Sequence, residues 1–288
     1  MLLALVLAPA ALAGPAATSG AAAGPILIGG VAPPGSPFAR GAAAYFRYVN
    51  GRGGVGGRTI EYRVVDGRDD PAAAARGLVA DGALAVFGTE VFAPSGSPSG
   101  FLPSWRLQGT VLARQVLKTA PPGRVAVLAT DDAEGKSLLA AFRAALGVRA
   151  RDVVAATTPA ELPKAATTVV LGSGDGRAGA VSVTYLKDPR DPRWAGDPAF
   201  EQYRRTGGLR TAAEEEGMAA AFALADALHR AGKAPTRASV LAAVRRLTEA
   251  NNPFLVPGIV VRAGRVQQVA LQRFVAGHWS VFTGPLIR

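Results

Sequence analysis

Apolar and polar positions along the chain follow two periods, and segments with these periods succeed one another. The segment "PILIGGVA" (25–32) is a continuous apolar run, which is typical of a buried strand. In "FARGAAAYFRYVN" (38–50) the large apolar residues recur at helical spacing, whereas "RTIEYRVVD" (58–66) alternates apolar and polar residues as a strand does. Strands that alternate with helices predict an α/β fold with largely parallel sheets.

The same alternation continues along most of the chain. Apolar runs predict further strands at 83–88, 124–130, 152–157, 167–172 and 180–186. Helical spacing predicts helices at 70–81, 104–119, 134–147, 211–232 and 236–248. The last segment, 258–282, is rich in residues that favour strands, and we expect it to add antiparallel strands.

A glycine motif at 51–56, "GRGGVG", matches the G-x-G-x-x-G fingerprint of dinucleotide-binding proteins. That fingerprint requires a strand before the glycines and a helix after them, because the amides at the helix N-terminus bind the pyrophosphate. Here the predicted helix precedes the glycines and the predicted strand follows them. We interpret the motif as a turn from helix to strand, with nucleotide binding as the alternative.

A second segment, "GKS" (135–137), imitates the end of a phosphate-binding loop between a predicted strand and a predicted helix. Thr130 stands where the first glycine of that motif belongs, and two aspartates that follow Thr130 would repel phosphates. We expect that this segment also binds no nucleotide.

The N-terminus has the features of a secretory signal peptide. An apolar run (2–12) ends in the small-x-small sequence Ala11-Leu12-Ala13, and it is too short to span a bilayer. We expect residues 1–24 to be a signal peptide and linker, the mature chain to begin near Gly14, and the protein to be periplasmic. A disordered alanine-rich tail is the alternative. The absence of cysteine excludes disulfides and a cysteine nucleophile.

The formal net charge is +11, from 32 Lys and Arg against 21 Asp and Glu. Because the arginines are scattered along the chain, mostly singly, and no basic run interleaves with aromatic residues, we expect no nucleic-acid partner. His229 and His278 have no second ligand nearby in the sequence, so we expect no metal site. The three acids 214–216 are candidate acid–base carboxylates, or they complement a helix dipole. No catalytic constellation emerges, so we expect neither enzyme activity nor a cofactor.

Several segments, in a fixed order, carry a family resemblance. "ILIGGVAPPGSPFARG" (26–41) and "VNGRGGVGGRTIEYRVVDGRDDPAAAA" (49–75) resemble the N-terminal lobe of the periplasmic solute-binding proteins of branched-chain amino acid ABC transporters, the leucine-binding-protein-like family. "YLKDPRDPRWAGDP" (185–198), "LVPGIVV" (255–261) and "LQRFVAGHW" (271–279) resemble later segments of that family, in its order. The resemblance covers most of residues 25–282.

The resemblance implies a two-lobed type I periplasmic-binding-protein fold, truncated relative to the family. Lobe one would hold residues 25–100 and 180–248, and lobe two would hold residues 101–179 and 249–288. The chain is shorter than the family after residue 88 and again between residues 154 and 181. The family's acidic residue for a ligand amino group lies in the second missing region, so no residue here inherits that role.

The resemblance also implies ligand-binding residues in the cleft between the lobes. Ser95 and Gly96 match a Thr-Gly pair that binds the ligand carboxylate, although a ligand-free Ser/Gly/Pro loop is the alternative. Phe38 falls in a loop that lines the cleft, or it staples the following helix. Glu134 stands where the family places a cleft tyrosine, and Glu216 stands where the family often has an aromatic residue. These acids argue against a hydrophobic amino acid as the ligand.

The function that the resemblance implies is solute binding without catalysis. The protein would be a monomer that delivers a small amino-acid-like or other polar solute to the membrane subunits of an ABC permease. The alternative is a shortened relative that acts as a sensory or scaffold module without transport.

Overall fold

The structure is a computed structural model, which describes residues 24–67, 69–88, 103–172, 174–197, 211–248, 252–262 and 265–286. The helices are α1 (Pro37–Gly51), α2 (Pro71–Ala80), α3 (Trp105–Thr119), α4 (Ala133–Leu146), α5 (Ala212–Ala231) and α6 (Arg237–Arg245). The strands are β1 (Ile26–Val31), β2 (Ile60–Val65), β3 (Ala85–Gly88), β4 (Val125–Leu128), β5 (Val153–Ala156), β6 (Thr167–Val170), β7 (Val181–Thr184), β8 (Val261–Arg262), β9 (Arg265–Val266), β10 (Ala270–Val275) and β11 (His278–Val281). Across the described residues, no helix has the length and apolar character needed to cross a membrane.

The smaller sheet has three parallel strands in the order β2-β1-β3. The central strand β1 is apolar along its length because helices cover both faces of the sheet. Helices α1, α5 and α6 pack on one face, where Ile28, Phe46 and Leu228 are buried. Helix α2 covers the other face, where Leu78 packs with Val86.

The larger sheet has six strands in the order β11-β10-β7-β6-β4-β5. Strands β4 to β7 run parallel, and β10 and β11 complete the sheet with antiparallel pairing. Helices α3 and α4 cover one face through residues such as Leu112 and Phe142, and the other face buries Trp279. The predicted α/β fold with largely parallel sheets is confirmed, as are the antiparallel strands near the end of the chain.

Strand β7 belongs to the larger sheet, since it pairs with β6 and β10. The lobe boundary expected at residue 180 would instead assign this strand to lobe one. The end of β7 is therefore the point at which the chain leaves the larger sheet. From there it continues to α5, which packs against α1 beside the smaller sheet.

The glycine motif at 51–56 forms a turn from helix to strand, as its context predicts. Helix α1 ends at Gly51, and β2 begins at Ile60. Gly53 and Gly54 have φ angles of 97° and 69°, a left-handed conformation that glycine adopts without a steric cost. The backbones of Val55 and Arg58 exchange hydrogen bonds of 2.8 and 3.0 Å, which close the turn. Because a strand follows the turn, no helix N-terminus is available there to bind a phosphate.

Helices α1 and α5 approach each other so closely that both need a glycine at the contact. A Cβ atom at Gly41 would lie 1.9 Å from the carbonyl oxygen of Glu214, and one at Gly217 would lie 2.0 Å from that of Phe38. The hydroxyl of Thr211 caps α5 by accepting a hydrogen bond from the Glu214 amide at 3.2 Å. The close packing of α1 against α5 and the Thr211 cap together hold the first turn of α5 in place, and this turn carries three consecutive glutamates.

Candidate functional site

A cleft of about 690 Å³, counting its open mouth, has walls from both parts of the molecule. One wall comes from Trp105 and Gln108 of α3 and from Glu134 of α4, which pack on the larger sheet. The opposite wall comes from Glu215 and Glu216 in the first turn of α5.

The segment that leaves β7, residues 185–188, lines the cleft between these two walls. Its backbone is held by the chain just before β8. The amide of Val256 donates to the carbonyl oxygen of Tyr185 at 2.9 Å, and the amide of Lys187 donates to that of Phe254 at 3.0 Å. These bonds pair the backbone groups of Tyr185 and Lys187 with neighbouring chain. The side chains of these two residues are therefore the groups that the segment can offer to a solute in the cleft.

Glu215 is the most unusual residue of the cleft. Its side chain is fully buried, and neither carboxyl oxygen has a hydrogen-bond partner among the residues that the structure describes. Burial raises the pKa of the Glu215 carboxyl well above its ordinary value, and the nearby Asp188 carboxylate adds to this shift. A buried carboxyl without a partner is unfavourable for the free protein, and such groups are rare outside functional sites.

Glu216 faces the same cleft and is held by a tyrosine. The hydroxyl of Tyr185 donates a hydrogen bond of 2.9 Å to Oε1 of Glu216. Burial raises the pKa of the Glu216 carboxyl, and the hydrogen bond from Tyr185 opposes that shift. Burial also raises the pKa of the Tyr185 hydroxyl, as does the adjacent Glu216 carboxylate. The hydrogen bond from Tyr185 therefore fixes the position of Oε1 of Glu216 at the cleft.

The first acid of the triplet, Glu214, does not line the cleft within the described residues. Its carboxylate pairs with the guanidinium of Arg40 on α1, at 2.8 Å from Nη2 and 2.9 Å from Nε. Because the side chain of Arg40 is 54% exposed, this pair contributes little to stability. The three glutamates thus divide: Glu214 joins two helices, and Glu215 and Glu216 line the cleft.

The other charged side chains of the cleft are already paired. The ammonium of Lys187 lies 2.5 Å from a carboxylate oxygen of Asp197 and donates to the carbonyl oxygen of Pro253 at 2.7 Å. The carboxylate of Asp188 binds the Arg190 guanidinium at 3.0 Å. Among the described acids that line the cleft, Glu215 is the one whose carboxyl oxygens are buried without a hydrogen-bond partner.

The sequence-predicted site residues fall into three groups. Glu134 and Glu216 both line the cleft, Glu134 from α4 and Glu216 from α5. Phe38 is buried at 3% exposure against Phe87, with ring centroids 5.8 Å apart, and it is not among the described residues that line the cleft. Ser95 and Gly96 lie outside the described residues, so their proposed contact with a ligand carboxylate stays a prediction.

Sequence reasoning missed Glu215, which it considered only as one of three acids at a helix start. A signal was present, because Met218, Ala219 and Phe222 follow Glu215 at helical spacing and form an apolar stripe. An acid on that stripe must be buried when the helix packs. Tyr185 and Trp105 were missed because nothing in their local sequence distinguishes a cleft residue from a core residue.

The other motifs and titratable groups give no second site. The Asp132 carboxylate accepts a hydrogen bond from the Gly135 amide at 2.7 Å, and Lys136 pairs with Asp131 at 3.0 Å. The "GKS" segment thus already binds carboxylates of its own chain where a phosphate would lie. His229 is exposed, and its Nδ1 lies 2.7 Å from the Ala225 carbonyl oxygen. No group of three or more His, Cys, Asp or Glu in the described ranges is arranged to hold a metal ion.

Known proteins share both sequence features and fold with this chain. Residues 27–93 match the sequence model of the family described as "Periplasmic binding protein". No curated protein sequence matches the chain. The structure superposes on a branched-chain amino acid ABC transporter protein from Thermus thermophilus with bound valine. The TM-score is 0.70 and the identity 15%, over 92% of this chain and 96% of that chain.

Two further solved structures superpose comparably well. A possible leucine/isoleucine/valine-binding protein from Rhodopirellula baltica gives a TM-score of 0.67 at 13% identity, over 91% of this chain and 97% of that chain. A solute-binding protein of an ABC transporter from Rhodopseudomonas palustris, in complex with 3,4-dihydroxybenzoic acid, gives 0.65 at 15% identity, over 91% and 98%. The chain therefore has the type I periplasmic-binding-protein fold, so the fold that the sequence resemblance implies is confirmed. The shortening relative to the family stays a prediction.

Proposed function

We propose that this protein is an extracytoplasmic solute-binding protein of an ABC transporter, which binds a small polar solute between its two lobes. The observation that carries the proposal is the cleft, in which Glu215 and Glu216 on one wall face Glu134 and Trp105 on the other. Polar groups that converge in a concave, partly apolar site are what small-molecule recognition requires. The fold supports the same function, since the structures that superpose on it include a solute-binding protein of an ABC transporter and a possible leucine/isoleucine/valine-binding protein.

The mechanism that we propose is capture by closure of the lobes. The two walls belong to parts of the chain with separate cores, which meet at the segment after β7. When a solute bridges the walls, hinge rotation at such crossing segments buries the solute and excludes water, which strengthens its polar contacts. The closed form would then be the one that the membrane subunits of the permease bind.

The remaining parts of the proposal come from the sequence. Residues 1–24 would direct export to the periplasm, where a monomer would circulate between free solute and permease. Ser95 and Gly96 would complete the site by binding a carboxylate if the solute has one, and Phe38 would support the adjacent loop. The protein would have neither a catalytic role nor a cofactor.

Thermal stabilisation of the purified chain by solutes tests the proposal. Amino acids, amides and small carboxylates are added one at a time at millimolar concentration, and the melting temperature is measured. A solute present at a hundred times its Kd stabilises the folded protein by about 2.7 kcal/mol, which moves the melting temperature by several degrees. We expect one chemical class to produce such a shift, with one-to-one binding in calorimetry. If no solute shifts the melting temperature, the proposed function is wrong.

A further inference from the structure

The cleft is acidic although the chain is basic. Among the described residues that line the cleft, four are acidic and one is basic, whereas the whole chain has 32 basic and 21 acidic residues. The basic residue, Lys187, is bound to Asp197, and one of the acids, Asp188, is bound to Arg190. The cleft is also lined by the carboxyl groups of Glu134 on α4 and of Glu215 and Glu216 on α5.

Glu215 points to a ligand independently of this charge count. The residue is fully buried and lines the cleft, and both of its carboxyl oxygens lack a hydrogen-bond partner within the described part of the chain. The fold does not require a carboxyl there for helix capping, because Thr211 already caps α5 and Glu214 makes the ion pair to α1. A group with hydrogen-bond donors, placed in the cleft, would satisfy these oxygens.

From these observations, and resting on the proposed function, we infer that the solute is a small organic cation, whose protonated amine or guanidinium group binds to Glu215 and Glu216. Such groups carry several N–H donors and a positive charge, so they match two adjacent carboxylates both geometrically and electrostatically. An anionic solute would be repelled by the same groups. A purely apolar solute would leave the buried Glu215 oxygens without partners.

The walls of the cleft suit an organic cation. Trp105, Tyr185 and Trp279 line it, and the faces of aromatic rings attract ammonium and guanidinium groups. The hydroxyl of Tyr185 already orients Glu216, at 2.9 Å from Oε1. The three carboxyl groups are not arranged as a metal-binding cluster within the described residues, which favours a larger, directional donor over a bare metal ion.

Binding of a cation should release a proton. In the free protein burial raises the pKa of Glu215, and the charged groups that act on it are Asp188, Lys187, Glu216 and Asp197. A bound cation stabilises the ionised carboxylate, so the Glu215 proton leaves as the cation enters. Affinity for the cation should therefore increase as the pH rises through the pKa of Glu215 in the free protein.

Pairs of solutes that differ mainly in charge test the inference. Calorimetric titrations compare 1-butylguanidine with butylurea, and 1,4-diaminobutane with butane-1,4-diol, on the wild-type protein. We expect the cationic member of at least one pair to bind at least tenfold more tightly than its neutral partner. Loss of a charge-assisted hydrogen bond typically weakens binding about ten- to a hundredfold, and we expect this loss in Glu215→Gln and in Glu216→Gln. The melting temperature of each variant shows that it is folded.

The matched control is Asp226→Asn, which removes an acid from the same helix outside the cleft, where Asp226 pairs with Arg230. We expect this variant to bind like the wild-type protein. Titrations in two buffers with different ionisation enthalpies should show proton release in the wild-type protein and much less in Glu215→Gln.

The inference is overturned if neutral or anionic solutes bind as tightly as the cations, if both cations fail to bind, or if Glu215→Gln and Glu216→Gln leave cation affinity unchanged. One-to-one binding of a neutral or anionic solute would still leave the proposed solute-binding function intact. If no solute binds, in these pairs or in the thermal screen, both the proposed solute-binding function and the inferred preference for cations are wrong.

Discussion

The starts of α4 and α5 both carry acidic residues, but the two aspartates before α4 and Glu215 of α5 differ in their contacts. At α4, Asp132 caps the helix by accepting from the Gly135 amide at 2.7 Å, and Asp131 pairs with Lys136 at the surface. At α5, Thr211 provides the cap, and Glu215 is fully buried without a hydrogen-bond partner in the described residues. The two aspartates before α4 bind groups of their own helix, whereas the buried Glu215 carboxyl lowers the stability of the free protein.

This difference separates a structural helix start from a candidate binding site. A helix N-terminus favours acids, and capping alone explains the aspartates before α4. Capping does not explain Glu215, because its carboxyl binds no backbone amide among the described residues. A costly group that the fold does not use is the kind of local inconsistency that marks functional sites.

The largest effect is expected from the contact that positions the first turn of α5. Gly217→Ala places a Cβ atom 2.0 Å from the Phe38 carbonyl oxygen, so α1 and α5 must separate. We expect the free energy of unfolding to fall by about 3 kcal/mol in urea denaturation, and solute binding to weaken. Gly77→Ala, in the exposed part of α2, meets nothing within 4 Å and should instead stabilise by about 0.5–1 kcal/mol. Equal effects of the two substitutions would contradict the close packing of α1 and α5.

The next effect concerns the cost of burying Glu215. Its pKa is raised in the folded protein above the ordinary 4.5, so above pH 4.5 the folded state keeps a proton that the unfolded state has lost. In that range, up to the raised pKa, this residue lowers the free energy of unfolding by about 1.4 kcal/mol per pH unit. Glu215→Gln cannot ionise, so it removes this pH-dependent reduction in the free energy of unfolding. We expect the melting temperature of the variant to exceed that of the wild-type protein at pH 7.5, and the difference to shrink towards pH 4.5.

Asp226→Asn serves as the control for this prediction, because Asp226 is an acid of the same helix that already has an arginine partner. Its melting temperature should show no comparable gain between pH 4.5 and pH 7.5. A Glu215→Gln variant that is less stable than the wild-type protein at every pH would show that the carboxyl has a stabilising partner.

A smaller effect is expected at the start of α4. Asp132→Ala removes the side chain that accepts from the Gly135 amide, and loss of an N-cap costs about 1 kcal/mol. The loss should be visible as a lower midpoint in urea. Cation binding by Glu215 and Glu216 should persist, since Asp132 is not among the described residues that line the cleft. A change in solute affinity without a change in stability would assign Asp132 to the binding site instead.

The smallest effect is expected at Lys136, the residue that imitates a phosphate-binding lysine. Its pair with Asp131 has both side chains more than half exposed, so Lys136→Gln should change the free energy of unfolding by less than about 0.5 kcal/mol. Neither the wild-type protein nor the variant should bind ATP or NAD in calorimetry. Micromolar nucleotide binding that this variant abolishes would show that the segment is a phosphate site.

Local features of the fold were predictable from the sequence, and contacts between distant segments were not. The turn after α1 was predicted because helical spacing, four glycines and strand alternation all lie within about 30 residues. The sheet to which β7 belongs was not predictable, since an apolar strand has the same sequence pattern in either sheet. The burial of Glu215 depends on the packing of α5 against α1, where Glu214 and Arg40 are 174 residues apart. Glu134 and Glu216 were singled out because the family that the sequence resembles has other residues at these positions. This comparison required no knowledge of how α5 packs against α1.

The most direct test of the binding account is the protonation of Glu215 itself, followed by NMR of carboxyl carbons in protein labelled with ¹³C-glutamate and assigned with Glu215→Gln. In the free protein we predict that this carboxyl titrates well above pH 4.5. On addition of whichever cation binds, 1-butylguanidine or 1,4-diaminobutane, we predict that the carboxyl is ionised at a lower pH, because the bound cation stabilises the carboxylate. A Glu215 carboxyl that titrates near pH 4.5 both with and without these cations would contradict the account.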